Sequence, residues 1–333
     1  METQTKPLKW LSIVTVAAAV AGCGGGGGGE SPIPAPTPDV RSGDYTMFAA
    51  DAKQYTLSLD FDAKTYHIVG NGSDDSGSFA GSGTDFTFVP TGPAPVENNA
   101  RFSQFSDTVV GGFRFGGNVT PFIASRDFVT SVAEAAGAYK FLTTTVDPAA
   151  APNNAIFTGE IVSPGTFRFC SNAAISTIAN CPAASVSTAT LTVSGPDFRA
   201  DFGALGAFPF RVAKVGTDKV FLRASASNGT SRRFYVGVDE NNGYADAVFN
   251  GVNNDGQATR TTVTATSVTA TQTSEANVQT SVSGIPAAAI PGLLVLRTAT
   301  DGNFFSMRTT DLGFVFAAAN NPVHPGYVEI GKK

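Results

Sequence analysis

The strongest constraint on this chain is a period of two. From Tyr55 to Phe61 the order Tyr-Thr-Leu-Ser-Leu-Asp-Phe alternates apolar with polar, and Thr65 to Val69 does the same. Successive side chains of a strand point to opposite faces, so this pattern specifies strands with one dry and one wet side. Turn residues separate the segments, and Asn71 to Gly77 (Asn-Gly-Ser-Asp-Asp-Ser-Gly) reads as a hairpin turn. Phe79, Phe86 and Phe88 mark further strands, and Val109 to Phe115 another. The 26 Phe against 3 Met fit many short strands, each burying an aromatic face. The one good helical stretch is Phe128 to Ala136, ahead of Gly137, and Ala173 to Ala179 could make a further helical turn. The expected fold is therefore all-β, with two or three tandem antiparallel modules, sandwich or barrel-like.

Internal similarity supports tandem modules. Gly43-Asp-Tyr-Thr-Met-Phe48 recurs as Gly137-Ala-Tyr-Lys-Phe-Leu142, and Phe113-Arg-Phe115 as Phe208-Pro-Phe210. Gly206 to Arg211, continuing to Phe221-Leu-Arg223, parallels Gly292 to Arg297, continuing to Phe305-Ser-Met-Arg308. The first copy ends similarly at Phe122-Ile-Ala-Ser-Arg126. Spacings from 85 to 95 residues suit a β module used two or three times. Chance likeness among Phe-rich strands is the plain alternative. Ala258 to Thr273 is almost all Thr, Ala, Val and Ser, and its alternation reads as one long strand with a hydroxylated side. A mucin-like stalk is the competing reading. Ser283 to Pro291 reads as a loop, and the tail from Asn320 adds a last edge strand at Tyr327 to Ile330.

The N-terminus has a different character. Lys6 and Lys9 precede an apolar run from Trp10 to Ala21 that ends in Val20-Ala21-Gly22-Cys23. This resembles a bacterial lipoprotein signal peptide, with Val-Ala-Gly-Cys as the lipobox. The resemblance implies that Cys23 takes a diacylglycerol, becomes the mature N-terminus and acquires a further acyl chain such as palmitate. A transmembrane helix needs about 20 apolar residues, and this run is shorter. Six glycines follow, Gly24 to Gly29, and then Pro32-Ile-Pro-Ala-Pro-Thr-Pro38. Glycines make a flexible coil and alternating prolines a stiffer spacer, so the pair reads as a disordered tether. Cysteine followed by polyglycine is similar to the start of Gram-negative surface lipoproteins such as the neisserial heparin-binding antigen and transferrin-binding protein B families. That resemblance covers Cys23 to Pro38 and is a tether feature; the fold and iron role of those families are not carried over. Gly24 also lacks the aspartate that holds enteric lipoproteins at the inner membrane. The expected location is the outer membrane, anchored by lipid on the periplasmic or cell-surface face.

The resulting map has a signal peptide at 1–22, a tether at 23–41 and module 1 at 42–127. A helical linker follows at 128–136, then module 2 at 137–226 with a disulfide loop. Residues 227–333 form module 3 or complete module 2. Cys170 and Cys181 are an even pair in an exported chain and are expected to oxidise. Closing so short a loop contributes about 2–3 kcal/mol in the chain-entropy account. A metal site on these two cysteines lacks a nearby histidine or third cysteine.

Composition narrows function more than it names it. The formal charge is −5, and removing residues 1 to 22 makes it −6, with no basic patch. Nucleic acid and anionic headgroups are poor partners for such a surface. His67 and His324 are the only histidines, and neither adjoins a Ser or Cys nucleophile motif. The acidic pairs Asp60/Asp62, Asp74/Asp75 and Asp239/Glu240 could assemble a hydrolytic couple, but each sits beside turn residues that favour Asp for its backbone bonds. Asp239 to Asp246 spaces oxygen ligands around Gly243 as calcium would require, yet position twelve is Asn250 and Asn-Asn-Gly also makes a plain turn. Arg126, Arg223 and Arg308 fall at matching points of the proposed copies. Together they could hold an anion, and singly they would block strand edges. No catalytic residue, cofactor site or metal site is assigned. The expected role is a lipid-anchored, non-enzymatic binding or structural module, with the membrane, through Cys23, as its assigned partner. A carrier with an apolar barrel interior and a hydrolase with an assembled Asp/Glu pair are the alternatives.

Overall fold

The computed structural model describes residues 37–91, 100–115, 118–147, 149–171, 176–226, 231–243, 245–272, 278–286, 290–297, 302–319 and 321–333. The expected signal peptide, Cys23 and most of the expected tether lie outside them. Twenty-four strands form three closed barrels in chain order. Barrel 1 holds β1 (Gly43–Ala49), β2 (Gln54–Asp60), β3 (Thr65–Gly70), β4 (Ser73–Ser82), β5 (Asp85–Pro90), β6 (Arg101–Phe105), β7 (Thr108–Phe115) and β8 (Asn118–Ser125). The turn α1 (Val132–Ala135) precedes barrel 2. That barrel holds β9 (Gly137–Asp147), β10 (Ala150–Val162), β11 (Thr166–Cys170), β12 (Val186–Ser194), β13 (Asp197–Asp201), β14 (Ala207–Val215), β15 (Asp218–Ala226) and β16 (Arg232–Asp239). Barrel 3 holds β17 (Ala247–Asn253), β18 (Ala258–Val263), β19 (Ser267–Gln272), β20 (Val278–Pro286), β21 (Leu294–Arg297), β22 (Asn303–Arg308), β23 (Leu312–Ala317) and β24 (Val328–Lys332).

Each strand pairs antiparallel with the next, and the first of each barrel pairs with the last. Tandem modules are present, and they are barrels rather than sandwiches. Closure removes the edges along which sheets aggregate. Gly43 and Gly137 open the first strands of barrels 1 and 2 at φ 143° and 147°, a backbone that side chains rarely adopt. The recurrence of Gly-x-Tyr therefore marks a true structural equivalence.

The other proposed equivalences shift by a strand. Phe113 lies on the seventh strand of barrel 1, whereas Phe208 lies on the sixth of barrel 2. Phe-rich strands resemble one another because all fill the same kind of lumen. Arg126 follows an eighth strand, Arg223 sits on a seventh and Arg308 on a sixth, so the three arginines are not presented together. Barrel 2 also takes in β16, which lies beyond residue 226, and barrel 3 begins at Ala247.

Five local expectations are corrected. Asn71 and Gly72, at φ 50° and 84°, suffice for the turn between β3 and β4, and Ser73 to Gly77 continue as β4. The Thr-rich run is a hairpin, β18 and β19, rather than one strand. Thr264 turns it by accepting from the Ser267 amide at 2.9 Å, a turn with no Gly or Asn to announce it. The linker is helical only over Val132–Ala135, capped by Ser131. Ahead of it, Phe128 bridges Ala213 and the Val129 amide donates to the Val212 carbonyl, using the side of β14 that β13 leaves free. Finally, β24 is no edge strand; it closes barrel 3 between β23 and β17. Part of the expected Pro-Ala loop belongs to β20.

Inside, alternating residues meet. Tyr45, Met47 and Ala49 face the lumen of barrel 1 with Phe88, Phe102 and Phe122. Barrel 2 is filled by Tyr139, Phe141, Phe167, Phe198, Phe210 and Phe221. An eight-stranded barrel is just wide enough for its own side chains. Large and small residues must alternate to fill it. In barrel 3 a Cβ on Gly313 would lie 2.7 Å from the Phe249 ring.

A further core lies outside the barrels. Phe48, Val110 and Ile123 of barrel 1 meet Leu142, Leu222, Phe234 and Val236 of barrel 2, and Met307, Phe314, Phe316 and Ile330 of barrel 3. These residues alternate with the luminal ones, so their strands are buried on both faces. Polar contacts add register. Arg211 Nη1 donates to Thr46 Oγ1 at 2.7 Å, and Asn154 Nδ2 to the Ala317 and Tyr327 carbonyls at 3.0 and 2.9 Å.

Candidate functional site

Away from that shared core the strands present polar residues. Gln54, Thr56 and Asp60 on β2, Thr65 and His67 on β3, and Asp197, Arg199 and Asp201 on β13 are exposed. The insides are apolar. A membrane-spanning barrel carries the opposite arrangement, an apolar belt outside. These faces are built to meet water.

Where the outer walls of barrels 1 and 3 diverge they leave a groove of about 400 Å³. One wall is Ala80, Asp85, Thr87, Arg101 and Ser103; the other includes Asn250, Val252 and Ile330. Arg101 projects from β6 on the face opposite Phe102, which fills the lumen. Its Nε is buried with no hydrogen-bond partner. Burial holds its pKa below the usual guanidinium value. Asp85 is engaged by the Ser103 hydroxyl. A cleft between units, with one desolvated cation and a few polar groups, is the kind of concavity that holds a small ligand or an extended segment.

The residues singled out from the sequence lie elsewhere. Cys170 and Cys181 are bonded, closing a loop at one end of barrel 2. His67 Nε2 meets Asp74 Oδ1 at 2.7 Å on the exposed face of barrel 1. His324 packs beside Phe304 and Tyr327, with Asp255 3.9 Å away. Asp60 accepts from the Asp62 and Ala63 amides, a turn role. Asp239 accepts from the Asn241 amide, and Glu240 is buried, accepting from the Ile178 amide at 3.0 Å. Glu240 thus ties barrel 2 to its disulfide loop, and Asp239 to Asn242 make a turn with one acid turned inward, while Tyr244 lies outside the described residues. Among the described residues no three metal-binding side chains cluster. Arg126 donates to Asp107 and to the Ser42 and Val40 carbonyls, fastening the start of the body to the end of barrel 1.

Two buried charges, Lys140 and Glu329, and the half-buried Arg101 were not singled out from the sequence. Each of Lys140 and Glu329 stands between apolar neighbours, Tyr139 and Phe141, and Val328 and Ile330. Glu329 points into barrel 3, accepting from the Thr261 hydroxyl and, at 2.8 Å, from Tyr327 Oη. Burial raises its pKa. A carboxyl whose pKa rises on folding holds its proton longer in the folded chain, so its contribution is full below the unfolded value and declines as pH rises above it. Glu329→Gln is therefore expected to gain stability relative to the parent as pH goes from 4 to 7. Parallel urea titrations check this; a constant difference across that range would refute it.

No protein-family model and no curated protein matches the chain.

Proposed function

We propose that this chain is a lipid-anchored envelope protein, facing water, whose three-barrel body serves as a non-enzymatic binding module. The observation that carries the anchor is Val20-Ala21-Gly22-Cys23 followed at once by six glycines. Three acyl chains, at about 0.8 kcal/mol per buried CH₂, hold a protein durably to a bilayer. The polar outer walls support a body standing clear of the lipid. The groove beside Arg101 supports binding on the outside of the barrels. The packed aromatic lumen of barrel 1 speaks against cargo inside it, since a guest would have to displace rings such as Phe88, Phe102 and Phe113. The acids at turns support a non-catalytic reading, because Asp60 and Asp239 already serve nearby backbone amides and Glu240 the amide of Ile178.

Cys23→Ser tests the anchor. The variant is expected to lose incorporation of labelled palmitate and to leave the membrane fraction. Unchanged membrane retention refutes the proposal.

A further inference from the structure

Barrel 2 is a cup. At one end α1 stops it: Ala135 is buried against the luminal rings, and Tyr139 Oη donates to the Ala135 carbonyl at 2.6 Å. At the other end the strands finish near Asp147, Cys170, Asp201 and Ala226. The luminal rings change character along this axis. Phe141, Phe167, Phe198, Phe210 and Phe221 are fully buried, whereas Phe157, Phe169, Phe202 and Phe208 are partly exposed toward the open end.

Two arginines share that end. Arg223, 4% exposed, lies in the lumen with its guanidinium 4.3 Å from the Phe208 ring centre and 5.0 Å from that of Tyr235. Its Nε donates to Ser225 Oγ at 2.9 Å. Arg233, exposed on the neighbouring strand, donates to Tyr235 Oη at 3.3 Å. Arg41, Arg126, Arg168 and Arg211 each pair with a carboxylate. Among the described residues none lies within 4 Å of Arg223 or Arg233. Burial, with a smaller contribution from the nearby Arg233, pulls the pKa of Arg223 down to about 10. Two like charges around one tyrosine, one of them desolvated, form an uncompensated positive site.

We propose that the open end of barrel 2 binds a small organic anion with an apolar body. Its acidic group meets Arg223 and Arg233, and its apolar part lies on Phe157, Phe169, Phe202 and Phe208. The cations select the charge, since charge-assisted bonds to guanidinium are the strong ones. The rings select the body, because a bare inorganic anion would leave them wet. This site is separate from the groove and does not depend on the anchor.

Calorimetric titration of the full chain in non-ionic detergent with 4-phenylbutyrate tests it. Saturable binding is expected, with 4-phenylbutanol and sulfate each at least about tenfold weaker. Arg223→Met and the exposed Arg233→Met should each weaken 4-phenylbutyrate about tenfold or more. Should Arg223→Met fail to fold, Arg233→Met carries the test. Absence of saturable binding, equal binding of the alcohol or of sulfate, or unchanged affinity in Arg233→Met would each overturn the proposal.

Discussion

Gly292→Ala is expected to lower stability by about 3–5 kcal/mol, although it adds one methyl group. Gly292 precedes β21 at φ 71°, where an L side chain is strained. Its Cβ would fall inside the contact radius of both the Asn242 carbonyl oxygen and Lys140 Nζ. Lys140 is the reason the site cannot yield. Its ammonium is wholly buried, and burial pulls it down to about 8, so it remains largely cationic at neutral pH. Three donors meet three carbonyls, those of Pro291 at 2.7 Å, Asn242 at 2.9 Å and Glu240 at 3.4 Å. Glu240 and Asn242 belong to the passage from barrel 2 to barrel 3, and Pro291 to a loop of barrel 3. One lysine thus fastens both to the outer wall of β9. An alanine at 292 must push aside a backbone carbonyl or the cation, and a buried charge stripped of partners costs several kcal/mol. Urea unfolding measures the loss; a change below about 0.5 kcal/mol, within the range of ordinary surface substitutions, would show that the loop relaxes freely.

The same geometry explains what could be read from residues alone. Strands β2 and β3 alternate cleanly because their outer faces meet water. Val220 to Ala224 and Gly313 to Phe316 are nearly continuous apolar runs, because their outer faces meet another barrel. Such runs announce strands buried on both sides. A charge set among apolar neighbours, such as Lys140, Arg223 or Glu329, then announces a buried partner. Those signals were present in the chain. What residues could not disclose is which strand closes on which. Pairings such as Thr46 with Ser125 or Val252 with Ile330 join positions far apart in sequence, and Phe-rich strands look alike wherever they fall in a barrel. The cysteine pair was legible because, once Cys23 is read as the lipid anchor, only two cysteines are left to pair with each other. The groove beside Arg101 was not, because it exists only between two outer walls.

Phe234→Ala should destabilise all three barrels at once, by about 3–5 kcal/mol. Phe234 lies on β16 with its ring outside barrel 2, fully buried and stacked 6.3 Å from Phe316 of barrel 3. It belongs to the cluster that also contains Phe48 and Ile123 of barrel 1. Truncating a luminal ring would open a cavity within one barrel; truncating Phe234 opens it where three outer walls meet. Stability there is shared, because these outer faces bury apolar side chains where the water-facing strands carry exposed polar ones. If the body unfolds as one unit, the loss is common to every slowly exchanging amide. Hydrogen exchange resolved by strand reads it. Protection in β3 and β4 of barrel 1, remote from Phe234 in sequence, is expected to fall by the same free energy as protection in β15 and β16. Loss confined to barrels 2 and 3, with barrel 1 protection intact, would mean that the barrels fold independently and merely touch.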